Sequence, residues 1–284
     1  MTSFFRKWLL TTMATGAVFV LVACGDGNDE VTGNDVEADN GNANNNEAAD
    51  GDSADLTLDG ETFVYALSGE YRPFSYVNED GELTGFDVDI GMAIAEELGV
   101  EGEPYRISFS GIIPGLQDDR YDAIIGSLGI TEERQETVDF SDPYYISGAQ
   151  VYVRSDSDIS SIDDIDENTE VAVSLGSTYE DMIKDYTEDV STYDSDVVAL
   201  QALDQGRHDA VVTDRLIGLI NIEEQDLDIV MAGDLIDVEH MGIAVKKGNE
   251  ELLEAINNAL ETIKEDGRYL EISEHYLDED ISQE

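Results

Sequence analysis

The sequence has few of the residue types that build disulfides, metal sites or nucleic-acid interfaces. Its 284 residues include one cysteine, three histidines, four prolines and only 14 lysines and arginines. One cysteine excludes an internal disulfide and a zinc site built on several cysteines, and the histidines lack the spacing of a zinc motif. Without clustered basic residues the chain cannot neutralise phosphates, which excludes nucleic acid as a partner. We therefore expect no metal and no cofactor.

Acidic residues, in contrast, are abundant, and 66 Asp and Glu give a formal net charge of −52 at pH 7. Residues 25–55 hold ten of these acids and no base, so the remainder from Leu56 onward is itself strongly acidic. An anionic membrane surface would repel such a chain. The hydrophobic share of 41% is still sufficient for a packed core. This balance is typical of a protein from a halophile, in which an acidic surface keeps the protein hydrated.

The first 24 residues have the pattern of a secretory signal. Arg6 and Lys7 precede an uncharged segment, 8–23, which is shorter than the roughly 20 apolar residues of a transmembrane helix. The sequence LVAC at 21–24 resembles the lipobox of bacterial lipoproteins, in which the cysteine is acylated. We predict a signal peptide over 1–23, lipidation of Cys24, and a disordered acidic linker over 24–59.

From Glu61 onward, short apolar runs alternate with amphipathic segments. The four-residue spacing of Ile90, Ile94 and Leu98 predicts a helix over 88–98, and the apolar positions after Asn249 predict another. Alternation of strands and helices indicates an α/β fold, in which ligands bind beyond the carboxyl ends of the strands. The apolar runs predict eight strands, at 62–67, 105–109, 121–125, 149–154, 170–174, 209–213, 228–232 and 241–246.

Three groups that follow predicted strands have the chemistry of a binding site. Arg134 lies in the first turn after the helix cap Thr131, where the helix dipole prefers acids, so it suits capture of a carboxylate. A surface ion pair is the alternative for this arginine. Asp214 either binds a cation or caps a helix, and the segment 176–178 either offers N–H groups to an anion or begins a helix.

The segments GEYRPFSY (69–76), TEER (131–134), VSLGSTYED (173–181) and VVTDR (211–215) occur in this order along the chain. Together with their surroundings they resemble the family 3 extracellular solute-binding proteins, the substrate-binding components of polar amino-acid ABC importers. The resemblance covers roughly residues 60–278. It implies an α/β, two-lobed periplasmic-binding-protein-like fold of type II, with two crossover strands joining the lobes and a ligand cleft between them. Lobe 1 is expected at 60–144 and 241–278, and lobe 2 at 149–236.

The resemblance also implies the residues of the ligand site. Arg134 corresponds to the arginine that binds the ligand carboxylate, and Asp214 corresponds to the aspartate that binds the ammonium. The remaining positions supply two aromatic walls, three hydroxyl or backbone contacts and one contact to the ligand side chain: Tyr71, Phe109, Ser127, Gly129, Thr178 and Ser68.

Two departures from the family pattern bear on the ligand. Gly129 stands where Ser, Thr or Ala is usual, and Ser68 stands where binders of basic amino acids often carry an acid. Both departures argue against lysine or arginine as the ligand, although Glu70 could supply the acidic partner that Ser68 lacks. We therefore favour a neutral polar L-amino acid such as cystine or glutamine.

The resemblance implies a monomer without enzymatic activity, anchored by lipid to the outer face of the cytoplasmic membrane, that delivers its ligand to ABC permease subunits. A dehydratase resembling cyclohexadienyl dehydratase is the first alternative, because that enzyme uses the same fold. A binding protein for ectoine or another compatible solute is the second.

Overall fold

The computed structural model describes residues 62–282. The predicted signal peptide, Cys24 and the acidic linker lie outside the described residues. Within them, strands and helices alternate along the chain, which confirms the predicted α/β class. None of the helices in this part of the chain combines the length and the apolar composition that crossing a membrane requires.

The secondary structure follows in chain order. The strands are β1 (Thr62–Leu67), β2 (Glu70–Tyr71), β3 (Ser75–Val77), β4 (Leu83–Thr84), β5 (Glu101–Arg106), β6 (Ala123–Ile124), β7 (Val138–Arg154), β8 (Val171–Ser174), β9 (Val190–Tyr193), β10 (Ala210–Asp214) and β11 (Ile229–Lys246). The α-helices are α1 (Phe86–Glu97), α2 (Ile112–Gln117), α3 (Glu132–Gln135), α4 (Thr178–Ile183), α5 (Asp196–Asp204), α6 (Arg215–Gln225), α7 (Glu250–Glu265) and α8 (Arg268–Leu277).

Eight strands form one continuous mixed sheet in the order β5-β1-β6-β11-β7-β10-β8-β9. At one end β1 pairs in parallel with β5 and β6, and at the other end β8 pairs in parallel with β9 and β10. The two central strands, β7 and β11, run antiparallel to each other and connect both ends. They correspond to the two crossover strands that the family resemblance implies. Strands β2, β3 and β4 form a separate small sheet.

Strands β7 and β11 are longer than the short strands predicted at 149–154, 228–232 and 241–246. The end of β11 from Met241 onward is almost entirely buried, whereas its central residues, 233–240, are mostly exposed. Because the central residues lack the apolar pattern of a buried strand, the sequence predicts two strands where the structure has one. The pairing with β7 shifts between Ala232 and Asp237, so that part of β11 bulges from the ladder.

Strand β5 lies earlier in the chain than the predicted strand at 105–109. It includes Pro104 and forms the edge of the sheet, where a missing backbone N–H is tolerated. Its few apolar residues give no strand pattern, which explains the error. Phe109 instead begins a 3-10 turn, Phe109–Gly111, that leads into α2.

Hydrophobic side chains form clusters on both sides of the central strands. One large cluster joins β1 and α1 with α7 and α8, and another joins β7 with β8, β10 and α4. Ile217 of α6 packs into the first of these clusters. The prediction of a helix after Asn249 is confirmed by α7. The Asn249 side chain caps this helix by accepting a hydrogen bond from the Leu252 N–H (3.4 Å). The buried face of α7 consists of Leu252, Ile256, Ala259, Leu260 and Ile263.

Candidate functional site

A cavity lies at the carboxyl ends of strands from both ends of the sheet. Ser68 follows β1, Ser127 follows β6, and Ser174 ends β8. Two of the predicted ligand-binding residues, Gly129 and Asp214, are adjacent to lining residues without lining the cavity themselves. The other six line it: Ser68, Tyr71, Phe109, Ser127, Arg134 and Thr178.

Arg134 projects a guanidinium into this cavity from α3. The predicted cap is confirmed, because the Thr131 hydroxyl accepts a hydrogen bond from the Arg134 N–H (3.1 Å). Nη1 donates to the carbonyl of Gly129 (2.8 Å) and Nη2 donates to the carbonyl of Gly176 (3.1 Å). Burial lowers the pKa of Arg134 and the nearby Glu239 opposes this, but an arginine stays protonated. The guanidinium forms no ion pair within residues 62–282, so it remains available to an anion.

Asp214 has the capping role that its position in the sequence left open. Its Oδ1 caps α6 by accepting hydrogen bonds from the N–H groups of Leu216 (2.8 Å) and Ile217 (3.3 Å). Its Oδ2 is buried near the Ser147 hydroxyl, and neither atom has a partner at hydrogen-bond distance in the described part of the chain. Burial raises the pKa of Asp214 to about 7, although nearby Ser147 and the two N–H groups lower it. A cation at Oδ2 would replace the missing partner and favour the charged carboxylate.

Ser127 lines the cavity, but its polar groups bind within the protein. The hydroxyl donates to Oδ2 of Asp87 (2.9 Å), and the backbone N–H donates to the hydroxyl of Tyr144 (2.9 Å). Tyr144 in turn donates to Oδ1 of Asp87 (2.7 Å). Burial raises the pKa of Asp87 to about 7. This network fixes the strand end at Ser127 and engages the hydroxyl that the resemblance implies for ligand contact.

Gly129 lies close to two residues that line the cavity, Thr178 and Arg134. A Cβ added to Gly129 would lie 3.4 Å from Nη1 of Arg134, 3.4 Å from Cγ2 of Thr178 and 3.5 Å from Oε1 of Glu239. These are ordinary van der Waals distances, so a methyl group would fit. The glycine therefore leaves one methyl-sized space between the arginine and Glu239.

Of the two predicted aromatic walls, Phe109 lies near Arg134 and Tyr71 lies near Asp214. The ring of Phe109 is 6.0 Å from Cζ of Arg134, within reach of a cation–π contact. The ring of Tyr71 packs 5.7 Å from that of Phe74, and burial raises the pKa of Tyr71 well above its ordinary value. Next to them, the Ser68 hydroxyl accepts a hydrogen bond from the Glu70 N–H (3.2 Å).

Several further residues of the site were not predicted from the sequence, among them Tyr179, Asp196 and Glu239. Tyr179 lines the cavity, and Asp196 lines it with a buried carboxylate that accepts a hydrogen bond from the Thr213 hydroxyl (2.6 Å). Glu239 lies opposite Ser147 in the β7–β11 ladder, and its buried Oε2 has no hydrogen-bond partner among residues 62–282. No local pattern distinguishes Glu239 from the other acids of the chain, because only the pairing of distant strands brings it to the site.

The site thus combines one guanidinium with several carboxylates, which suits a ligand that carries both charges. Within residues 62–282, no group of three or more His, Cys, Asp or Glu could hold a metal ion.

Known proteins resemble this chain over most of its length. The model of the bacterial extracellular solute-binding proteins, family 3, matches residues 63–279. The L-cystine-binding protein TcyJ of Escherichia coli (strain K12) is 35% identical over 225 residues, 78% of this chain and 84% of that protein. The ABC transporter glutamine-binding protein GlnH of Bacillus subtilis (strain 168) is 32% identical over 279 residues, 95% of this chain and 97% of that protein. An ancestral arginine-binding protein bound to glutamine has a similar structure, with a TM-score of 0.73 and 41% identity, over 78% of this chain and 99% of that chain.

Proposed function

Because the chain belongs to the bacterial extracellular solute-binding proteins of family 3, we propose that it binds an extracellular L-amino acid and delivers it to the permease of an ABC importer. The main observation in support is a pair of complementary groups at the cavity. Arg134 has no carboxylate partner within the described residues, and Oδ2 of Asp214 is buried without a hydrogen-bond donor. The carboxylate and ammonium of an α-amino acid would supply both missing partners.

The proposal includes two lobes, residues 60–144 with 241–278 and residues 149–236. Apart from the start of α6, whose Ile217 packs into the lobe 1 cluster, the separate hydrophobic clusters of the two lobes support this division. Arg134 then belongs to lobe 1 and Asp214 to lobe 2, so one ligand links the lobes. A ligand that contacts both lobes binds the closed state more tightly than the open one, and this difference drives closure.

The favoured ligands are neutral polar amino acids such as cystine or glutamine. Ser68 offers a hydroxyl where a basic side chain would require an acid, and the nearby Glu70 already pairs with Arg106 (2.6 Å). The names of the relatives TcyJ and GlnH, which state that they bind L-cystine and glutamine, support the same ligands.

Lipid attachment at Cys24 completes the proposal. The lipobox-like LVAC sequence and the extracellular family support an anchor to the outer face of the cytoplasmic membrane, with residues 24–59 as the tether of a monomer.

The alternatives of a dehydratase and of a compatible-solute binder make different predictions. Prephenate or arogenate would be turned over by a dehydratase, whereas TcyJ and GlnH are named as binding proteins. Ectoine carries a carboxylate, but its positive charge is delocalised over a cyclic amidinium, so it has no primary ammonium for Asp214 to bind. We propose neither activity for this chain.

A thermal-shift screen in ~1 M salt tests the function, using the twenty amino acids, cystine, ornithine and ectoine, followed by calorimetry of each hit. We expect stabilisation by one or a few L-amino acids. Arg134→Ala should cost on the order of 2–5 kcal/mol of binding free energy, because the carboxylate loses its partner in a partly buried site. Arg120→Ala is the control, since Arg120 is exposed and lies outside the cavity. Unchanged binding by Arg134→Ala, stabilisation by ectoine alone, or turnover of arogenate would refute the proposal.

A further inference from the structure

A second depression continues from the amino-acid cavity toward solvent. Ser68, Glu70, Phe109 and Asp194 line both spaces, so the depression is an extension of the cavity and not a separate site. Beyond these shared walls, Arg106 contributes the far side.

Arg106 presents a cation in this depression. Its Nη2 donates to Oε1 of Glu70 (2.6 Å), and its Nε donates to the carbonyl of Ser68 (3.2 Å). Its Nη1 has no hydrogen-bond acceptor within residues 62–282. The Arg106 and Glu70 side chains are 49% and 47% exposed, so a ligand can reach both without breaking the protein core.

Asp194 presents an anion from the other lobe. It lies between β9 and α5, and its exposed carboxylate has neither a hydrogen bond nor an ion pair in the described part of the chain. The depression therefore pairs a lobe 1 guanidinium with a lobe 2 carboxylate. Arg134 and Asp214 make the same combination at the inner end of the cavity.

We propose that the depression holds a second α-amino-acid head group, so that the ligand is a double-headed amino acid of the L-cystine type. Arg106 would bind the distal carboxylate through its free Nη1, while Asp194 would bind the distal ammonium. The inference rests on the proposed function, because the first head group must occupy Arg134 and Asp214.

Ligands whose side chain lacks a second amino-acid head group fit this depression less well. A lysine or arginine side chain could pair with Asp194, but it would bring no anion to Arg106 and would place a second cation near that guanidinium, where like charges repel. The amide of glutamine is uncharged and would leave both Arg106 Nη1 and Asp194 without a charged partner. A carboxylate with an ammonium on the same carbon satisfies both groups at once.

Calorimetry of the purified protein with two ligands tests this proposal. L-Cystine carries both head groups, whereas S-methyl-L-cysteine keeps the first head group and the sulfur but lacks the second. Because the distal groups are half exposed, we expect Arg106→Gln and Asp194→Asn each to weaken L-cystine binding about tenfold. Neither variant should change the affinity for S-methyl-L-cysteine. Arg120→Gln is the matched control and should leave both affinities unchanged.

Several results would overturn the inference. It is wrong if L-cystine does not bind, or if both variants change the two affinities by equal factors or change neither. In those cases the proposed function stands as long as an amino acid binds and Arg134→Ala abolishes its binding. If Arg134→Ala leaves all binding intact, the proposed function fails and this inference fails with it.

Discussion

The two residues proposed to bind the two ends of an amino acid solve the same electrostatic problem in different ways. At the proposed carboxylate end, Arg134 is half-buried and holds two backbone carbonyls with its guanidinium. At the proposed ammonium end, Asp214 is 0% exposed and leaves one carboxylate oxygen without a partner. The guanidinium of Arg134 has hydrogen-bond acceptors within the protein, whereas one buried oxygen of the Asp214 carboxylate has no hydrogen-bond donor within the described residues.

This difference assigns distinct properties to the two ends. Carbonyl oxygens compensate Arg134 without neutralising it, so its charge is independent of pH and of the ligand. Burial destabilises the charged form of Asp214, so its protonation depends on whether an ammonium is present. The ammonium end is therefore expected to determine the pH dependence of binding.

The largest effect is expected from Asp214→Asn. Asparagine caps helices as well as aspartate does, so α6 should keep its start and the melting temperature should change little. The amide lacks the charge that an ammonium requires, and the loss of binding should be on the order of 2–5 kcal/mol. Calorimetry measures the loss, and thermal unfolding of the ligand-free variant controls for the cap. Binding at the wild-type affinity would show that the ammonium does not contact this carboxylate.

Proton release on binding is the second expected effect. Burial raises the pKa of Asp214 to about 7, and an ammonium at Oδ2 should lower it, so binding near pH 7 should release part of a proton. The affinity should rise with pH and level off above about 7, approaching a tenfold change per pH unit below that value. Calorimetry in buffers of different ionisation enthalpy measures the released proton.

Asp87 provides the internal control for this measurement, because burial raises its pKa to about 7 as well. Asp87 remains bonded to Tyr144 and Ser127 in the Asp214→Asn variant. Proton release that persists in this variant would assign the effect to Asp87 or another group and contradict the assignment to Asp214.

The smallest effect is expected from Glu239→Gln. The negative charge of Glu239 raises the pKa of Asp214, and it also raises the pKa of Arg134 against the lowering effect of burial. Glu239 therefore acts on both residues. Without it, the pH profile of binding should move to lower pH by less than about one unit. Asp237→Asn removes an exposed carboxylate from the same strand and should not move the profile. A shift toward higher pH, or equal shifts in both variants, would contradict the role of Glu239.

Local sequence signals were sufficient for much of the fold. The buried strand β1 and the helix α7 follow their apolar patterns closely, because each buries a regular face. The central residues of β11 are mostly exposed, so no apolar pattern revealed that two predicted strands are one. The edge strand β5 was misplaced for a similar reason, since Pro104 and its acidic residues are tolerated only at an edge.

The candidate site was less accessible to sequence reasoning. Arg134 and Asp214 followed from the positions of strand ends and from family resemblance. Glu239 did not, because its proximity to the site depends on pairing with Ser147, more than ninety positions earlier. The hydroxyl of Ser127 illustrates a second limit, since its bond to Asp87 depends on tertiary packing that no motif encodes.

The interruption in the β7–β11 ladder has a mechanical consequence. Ala232 pairs with Val151 and Asp237 pairs with Ala149, so β11 has surplus chain length at this point. The side-chain amide of Gln150 donates to the carbonyls of Ala232 (3.1 Å) and Gly233 (3.3 Å). At this point a side chain therefore binds β11 in place of the backbone ladder. A side chain can rotate about its own bonds while a ladder cannot. Because residues 233–236 lie outside the pairing with β7, bending β11 at this point would break fewer backbone hydrogen bonds than bending it within the paired segments.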